Sequence, residues 1–90
     1  MLNKNIIDIF EKLVIQKKNE LHQEKNAENK RKLNFKIRHF NNVIKIIKEY
    51  NSIIKTSSQL KDIKGIGKGI LTRIDEILLS DNLKELNKDN

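Results

Sequence analysis

The sequence predicts a compact all-α domain of four helices. Three observations carry that expectation. The chain has no proline, and its glycines are confined to positions 65, 67 and 69, so one point interrupts an otherwise helix-compatible sequence. Apolar residues recur at helical spacing through long stretches. No stretch alternates polar and apolar residues for long enough to suggest a strand. A length of 90 residues suits one domain, 1–90, rather than two.

The first helix is predicted over about residues 4–21, where Ile6, Phe10, Leu13, Val14 and Leu21 share a face and Asn3 is placed to cap it. Residues 22–29 carry no apolar side chain but Ala27 and read as a loop, or as a frayed extension of either neighbouring helix. The second helix, about 30–50, has a core stripe of Leu33, Ile37, Phe40, Ile44 and Ile47. A second row, Asn34, Arg38, Asn41, Lys45 and Lys48, is basic or polar throughout and is flanked by Lys32, Lys36 and His39. Residues 52–58 break the pattern, and Ser57 or Ser58 is expected to cap a short helix over 59–62. The last helix, about 68–79, has its apolar positions at Ile70, Leu71, Ile74, Ile77 and Leu78. Asp81-Asn82 is expected to end it, with asparagine taking the left-handed conformation. Leu83 and Leu86 suggest one more packed turn, and Lys88, Asp89 and Asn90 a loose tail.

The net charge is +7, and its distribution says more than its sum. A coding sequence rich in A and T also yields much Lys, Asn and Ile, but it scatters lysines. Here residues 1–28 are neutral, 29–74 carry twelve basic and two acidic side chains, and 75–90 are net −3. No acidic residue lies between Asn29 and Lys48. That asymmetry points to a polyanionic partner. The absence of cysteine excludes disulfides and thiolate metal sites. With no apolar run near the ~18 residues of a membrane span and no signal pattern after Met1, a soluble intracellular protein with no membrane partner is expected.

The segment 60–78 has a specific layout: a short helix bearing Leu60 and Ile63, the turn Gly65-Ile66-Gly67, then an amphipathic helix. This is the pattern of a helix–hairpin–helix. Ile66 is expected to plug between the helices, and the glycines to allow positive φ and close backbone approach. Hairpin amides and the start of the last helix then face outward, where the helix dipole favours phosphate. Lys64 and Lys68 add full charges, and Gly69 lies in the first helical turn. Such chemistry reads the backbone and not the bases. A nucleotide-binding loop fits less well, because no strand precedes the glycines and no Gly-Lys-Ser/Thr opens the helix.

The hairpin, the basic helix before it and the opening Leu2-Asn3, Ile6 and Asp8 resemble the N-terminal lyase and DNA-binding domain of DNA polymerase beta and its X-family relatives. The likeness is strongest over 35–86, with 16–30 as an insertion. It implies a four-helix fold that binds single-stranded, nicked or gapped DNA through a 5′-phosphate. It also implies a lysine that removes 5′-deoxyribose phosphate through a Schiff base. At the nucleophile's position stands Arg73, whose guanidinium forms no imine. The phosphate-pocket lysine corresponds to Lys36, its tyrosine to Phe40, a hairpin lysine to Gly69 and a glutamate to Thr72. The resemblance further implies a monovalent cation (Na or K) on the carbonyls of Lys61, Ile63 and Ile66, and no other cofactor.

The remaining groups carry less. His22 and His39 are isolated and read as surface residues. Asp75-Glu76 are expected to orient or balance Arg73 rather than to act as acid and base. Phe40 fits the core, whereas Phe35 lies off the stripe beside Lys36 and is a candidate for stacking on a base. The expected function is therefore a sequence-nonspecific DNA-binding module using Phe35, Lys36, Arg38, Lys64, Gly65, Ile66, Gly67, Lys68, Gly69 and Arg73. The alternatives are a lyase with Lys68 or Lys36 as a relocated nucleophile, and an interaction domain for other repair or replication proteins.

Overall fold

Apolar residues on both flanks of the first helix decide the layout, because that helix must be covered from two sides. The computed structural model describes residues 2–87. Its elements are α1 (Lys4–Gln23), α2 (Ala27–Glu49), a 3-10 turn (Ser57–Leu60), α3 (Lys68–Ser80) and a second 3-10 turn (Lys84–Asn87). Helix α1 packs along α2 on one side and against α3 and the second 3-10 turn on the other. Its buried set accordingly exceeds a single stripe: Ile6, Ile7, Ile9, Phe10, Leu13 and Val14. Helix α2 buries Leu33, Ile37, Phe40, Val43, Ile44 and Ile47. Phe10 and Phe40 meet at the centre, ring centroids 6.0 Å apart in a tilted pair. Among the described residues no polar or charged residue is buried. None of the helices is long and apolar enough to cross a membrane. The predicted tail at Lys88, Asp89 and Asn90 lies outside the described residues.

The all-α class holds, but the described residues form three α-helices, not four. The short helix expected over 59–62 is the 3-10 turn Ser57–Leu60. Thr56, not a serine, caps it. Its side chain and that of Gln59 bond reciprocally to the backbone, and Gln59 Oε1 also accepts from the Lys55 amide at 2.7 Å. Of the two readings of 22–29, helix extension takes 22–23 and 27–29, and only 24–26 is loop. Asn26 caps α2, with Oδ1 accepting from the Asn29 amide at 3.0 Å, and Glu24 accepts from the Asn26 amide and the Asn29 side chain. These bonds hold the Glu24 carboxyl below its usual value, the Asn26 amide contributing most. Their stabilising effect is present above the unfolded-state value and fades as pH falls through the lowered one.

Two further expectations change. Asp81, not Asn82, ends α3 in the left-handed region, at φ 60°. Asn3 precedes α1 as expected, but at φ 60° its side chain does not cap the helix. It crosses instead to the strand-like segment after α2, donating to the Ser52 carbonyl at 3.0 Å and accepting from the Ile54 amide at 2.8 Å. Ile54 is thereby fixed in the core. Asn3→Ala is expected to lower stability by about 1–2 kcal/mol, since it leaves the part-buried Ile54 amide unpaired. Urea unfolding followed by circular dichroism measures the difference.

Candidate nucleic-acid interface

The hairpin takes its shape from three residues. Gly65 sits at φ 98°, a conformation that a side chain would strain. The turn around it closes with the Ile66 amide donating to the Ile63 carbonyl at 3.1 Å. Ile66 is buried, as a plug should be, alongside Leu60 and Ile70. Gly67 then caps α3 with no side chain to accept helix amides. Its carbonyl accepts from Ile70 and Leu71, while helix geometry leaves the first amides of α3 without an internal partner.

Gly65 and Gly67 differ in what surrounds them. A Cβ on Gly65 would meet the Asn42 Nδ2 and Ile46 Cδ1 atoms at 3.1 Å, so this glycine lets the hairpin lie against α2. A Cβ on Gly67 would meet nothing within 4 Å, and its φ of −100° is open to any residue. No packing contact inside the protein asks for glycine at position 67. The exposed Lys64 and Lys68 flank this open backbone, and Gly69 is exposed one residue further on. The arrangement is an amide-lined, cationic notch that can approach a phosphate closely.

The contact between Gly65 and α2 also decides which side of α2 lies against the hairpin. Phe35, His39, Asn42 and Ile46 follow at helical spacing and form one row ending at the hairpin. Phe35 is 63% exposed, and its ring stacks on that of His39 with centroids 6.4 Å apart and planes 17° apart. Asn42 and Ile46 thus belong beside the hairpin, which the sequence did not reveal. The basic row points elsewhere. Asn41, Lys45 and Lys48 line a groove against Glu11, Val14 and Ile15 of α1. They lie one residue, about 100°, round the helix from the hairpin contacts. Lys48 is 3.7 Å from the Glu11 carboxylate. Arg38 is exposed between the two faces. Lys36 is exposed one turn before Phe40, near Lys32, Glu20 and Glu24.

Arg73 is about three-quarters shielded from water. Its Nε and Nη2 donate to the two Glu85 oxygens at 2.7 and 3.3 Å, and Nη1 donates to the Gly69 carbonyl at 3.3 Å. Its guanidinium carbon lies 5.1 Å from the Phe40 ring centroid, a cation–π contact. The counter-ion is therefore Glu85, not Asp75 or Glu76. Glu76 instead accepts from the Lys84 amide. Among the described residues no group of three or more His, Cys, Asp or Glu side chains is placed to hold a metal ion.

The 3-10 turn Ser57–Leu60, a glycine turn plugged by Ile66 and α3 with its open start define a helix–hairpin–helix protein. The family model for the helix-hairpin-helix domain matches residues 1–83, and the chain belongs to that family. No curated protein and no solved structure matches the chain.

Proposed function

We propose that this domain grips DNA through backbone phosphates, without reading sequence, at the notch formed by Gly67, Gly69, Lys64 and Lys68. The observation that carries the reading is Gly67: a glycine that no packing contact requires, at an open helix start between two exposed lysines. Membership of the family supports it, since helix-hairpin-helix domains commonly bind DNA nonspecifically. Single-stranded, nicked or gapped DNA is the form proposed, because the exposed Phe35 ring, two turns along α2 from the hairpin contact at Asn42, offers a surface to an unpaired base. Lys36 and Arg38 extend the positive surface along α2. The likeness to the N-terminal domain of DNA polymerase beta, and a role in repair or replication, belong to the same proposal.

A monovalent cation fits the hairpin chemically. Lys61, Ile63 and Ile66 offer carbonyl oxygens over two successive turns, 60–63 and 63–66, and the Ile63 carbonyl keeps a second lone pair beside the one that accepts from Ile66. Bound there, a cation would add positive charge next to a DNA phosphate. The lyase alternative gains no support. Lys36 and Lys68 are exposed, whereas an imine-forming lysine is activated by desolvation or a nearby cation, and Arg73 is committed to Glu85.

The test is a fluorescence-anisotropy titration of single-stranded and gapped DNA across a salt series. Affinity should fall linearly on a log–log plot. Lys64→Ala and Lys68→Ala should each flatten the slope by roughly 0.7–0.9. Salt-independent binding, or none, would remove the proposal. Borohydride trapping on an abasic 5′ end should yield no adduct.

A further inference from the structure

Two apolar features of the surface lie outside the hairpin and take no part in the proposed grip. The first is the groove between α1 and α2. Val14 and Ile44 form its floor, and Ile15 beside them is 58% exposed. Its charged lining has both signs: Lys45 and Lys48, together with Glu11 and Glu49. The second is a knob near the end of α3. Leu79 is 89% exposed, more than any other large apolar side chain among the described residues. Around it lie Asp75, Glu76 and Lys84, again of both signs.

A nucleic acid does not suit the groove. Its backbone is uniformly negative and would meet two carboxylates there. It also brings no aliphatic group to the floor. What suits the groove is a protein surface whose exposed aliphatic side chain stands among charges of both signs. The chain itself presents such a surface at Leu79, with the two acids and one lysine that match the groove's lysines and glutamates.

We propose that this domain associates with itself head to tail, the Leu79 knob of one copy seated in the α1–α2 groove of the next. Asp75 and Glu76 then meet Lys45 and Lys48, and Lys84 meets Glu49. The Glu11–Lys48 pair does not bar the way. At 3.7 Å, with both side chains about half exposed, it is weak and free to exchange partners. The two surfaces share no residue, so the contact is heterologous: each copy gives its knob to one neighbour and its groove to another. Lys64, Gly67 and Lys68 belong to neither surface, so every copy keeps its notch. The net charge of +7 opposes association, and salt of about 0.15 M screens that repulsion beyond roughly 8 Å. One seated leucine and a few exposed charge pairs make a weak contact, with a dissociation constant on the order of 100 µM.

The inference goes beyond the DNA grip and is tested without DNA, so either can fail alone. Sedimentation equilibrium of the intact chain, up to about 500 µM in about 0.15 M salt, should show the average mass rising from 10.6 kDa past twice that value. Leu79→Asp and Ile15→Asp change exposed side chains, and each variant alone should stay monomeric. Mixed in equal amounts, the two should associate again and stop at a dimer, because each supplies the surface the other lacks. A native chain that stays monomeric overturns the inference and leaves the groove to a different protein. So does a native mass that stops at a dimer, association that survives in either variant alone, or a mixture no heavier than its components. The native mass decides even if a variant folds poorly.

Discussion

Gly67→Ala is expected to lower the thermal midpoint only slightly, since alanine is a poorer helix cap than glycine, and to weaken DNA binding about ten-fold. The fold has room for the methyl group, since nothing lies within 4 Å of it, and the backbone there is ordinary. The methyl would project from the amide notch into the space a phosphate must enter. Gly65→Ala is expected to do the opposite first. Its φ of 98° and the 3.1 Å contacts with Asn42 and Ile46 leave no unstrained place for a Cβ. A stability loss of about 2 kcal/mol should follow, and DNA binding should fall with the folded fraction. Melting curves and anisotropy titrations on the same samples separate the two glycines. Equal melting losses for both variants would show that Gly67 serves the fold and not a ligand.

Phe40→Ala is expected to be the most damaging single change for stability, at about 3–5 kcal/mol. Phe40 is 2% exposed, meets Phe10 at the junction of α1 and α2, and carries the Arg73 guanidinium on its outer face. A chain of this size has roughly 5–13 kcal/mol in total, so the variant should be partly unfolded at ordinary temperature. Phe40→Leu, which refills most of the volume, should lose much less. Urea midpoints of the two variants measure the difference, and a Phe40→Ala midpoint near the parent's would place the core elsewhere.

The parts of this structure legible in the sequence are those governed by short-range periodicity. The stripe Leu33, Ile37, Phe40, Ile44 and Ile47 reads directly as a buried face, and all five residues are buried. The glycine turn could be located because Gly is absent elsewhere, and the plug Ile66 followed from its place between the glycines. The boundaries around residues 22–29 were not legible. A helix end that projects beyond the core has no apolar residues to mark it, and only the Asn26 and Glu24 hydrogen bonds define it. The counter-ion of Arg73 was misread for a related reason. Asp75 and Glu76 are near in sequence, but the chain reverses after Asp81 and brings Glu85 to the guanidinium from twelve positions away. The face of α2 that meets the hairpin is likewise set by where the chain returns, so the basic row and the hairpin side could not be told apart from composition.

Between Val14 on α1 and Leu33 on α2 no side chain is fully buried, so both helices run on past the core as paired arms. An α-helix repeats its faces about every seven residues, or two turns. Two added turns on each arm therefore amount to about fourteen residues, close to the length of the segment 16–30 that reads as an insertion. Such growth keeps every core residue in register and moves only the tip, near Lys25 and Asn26, away from the hairpin. The arms behave as a strut whose length can change in two-turn steps. A fluorophore or fusion placed at that tip would sit at the far end of it from the DNA notch.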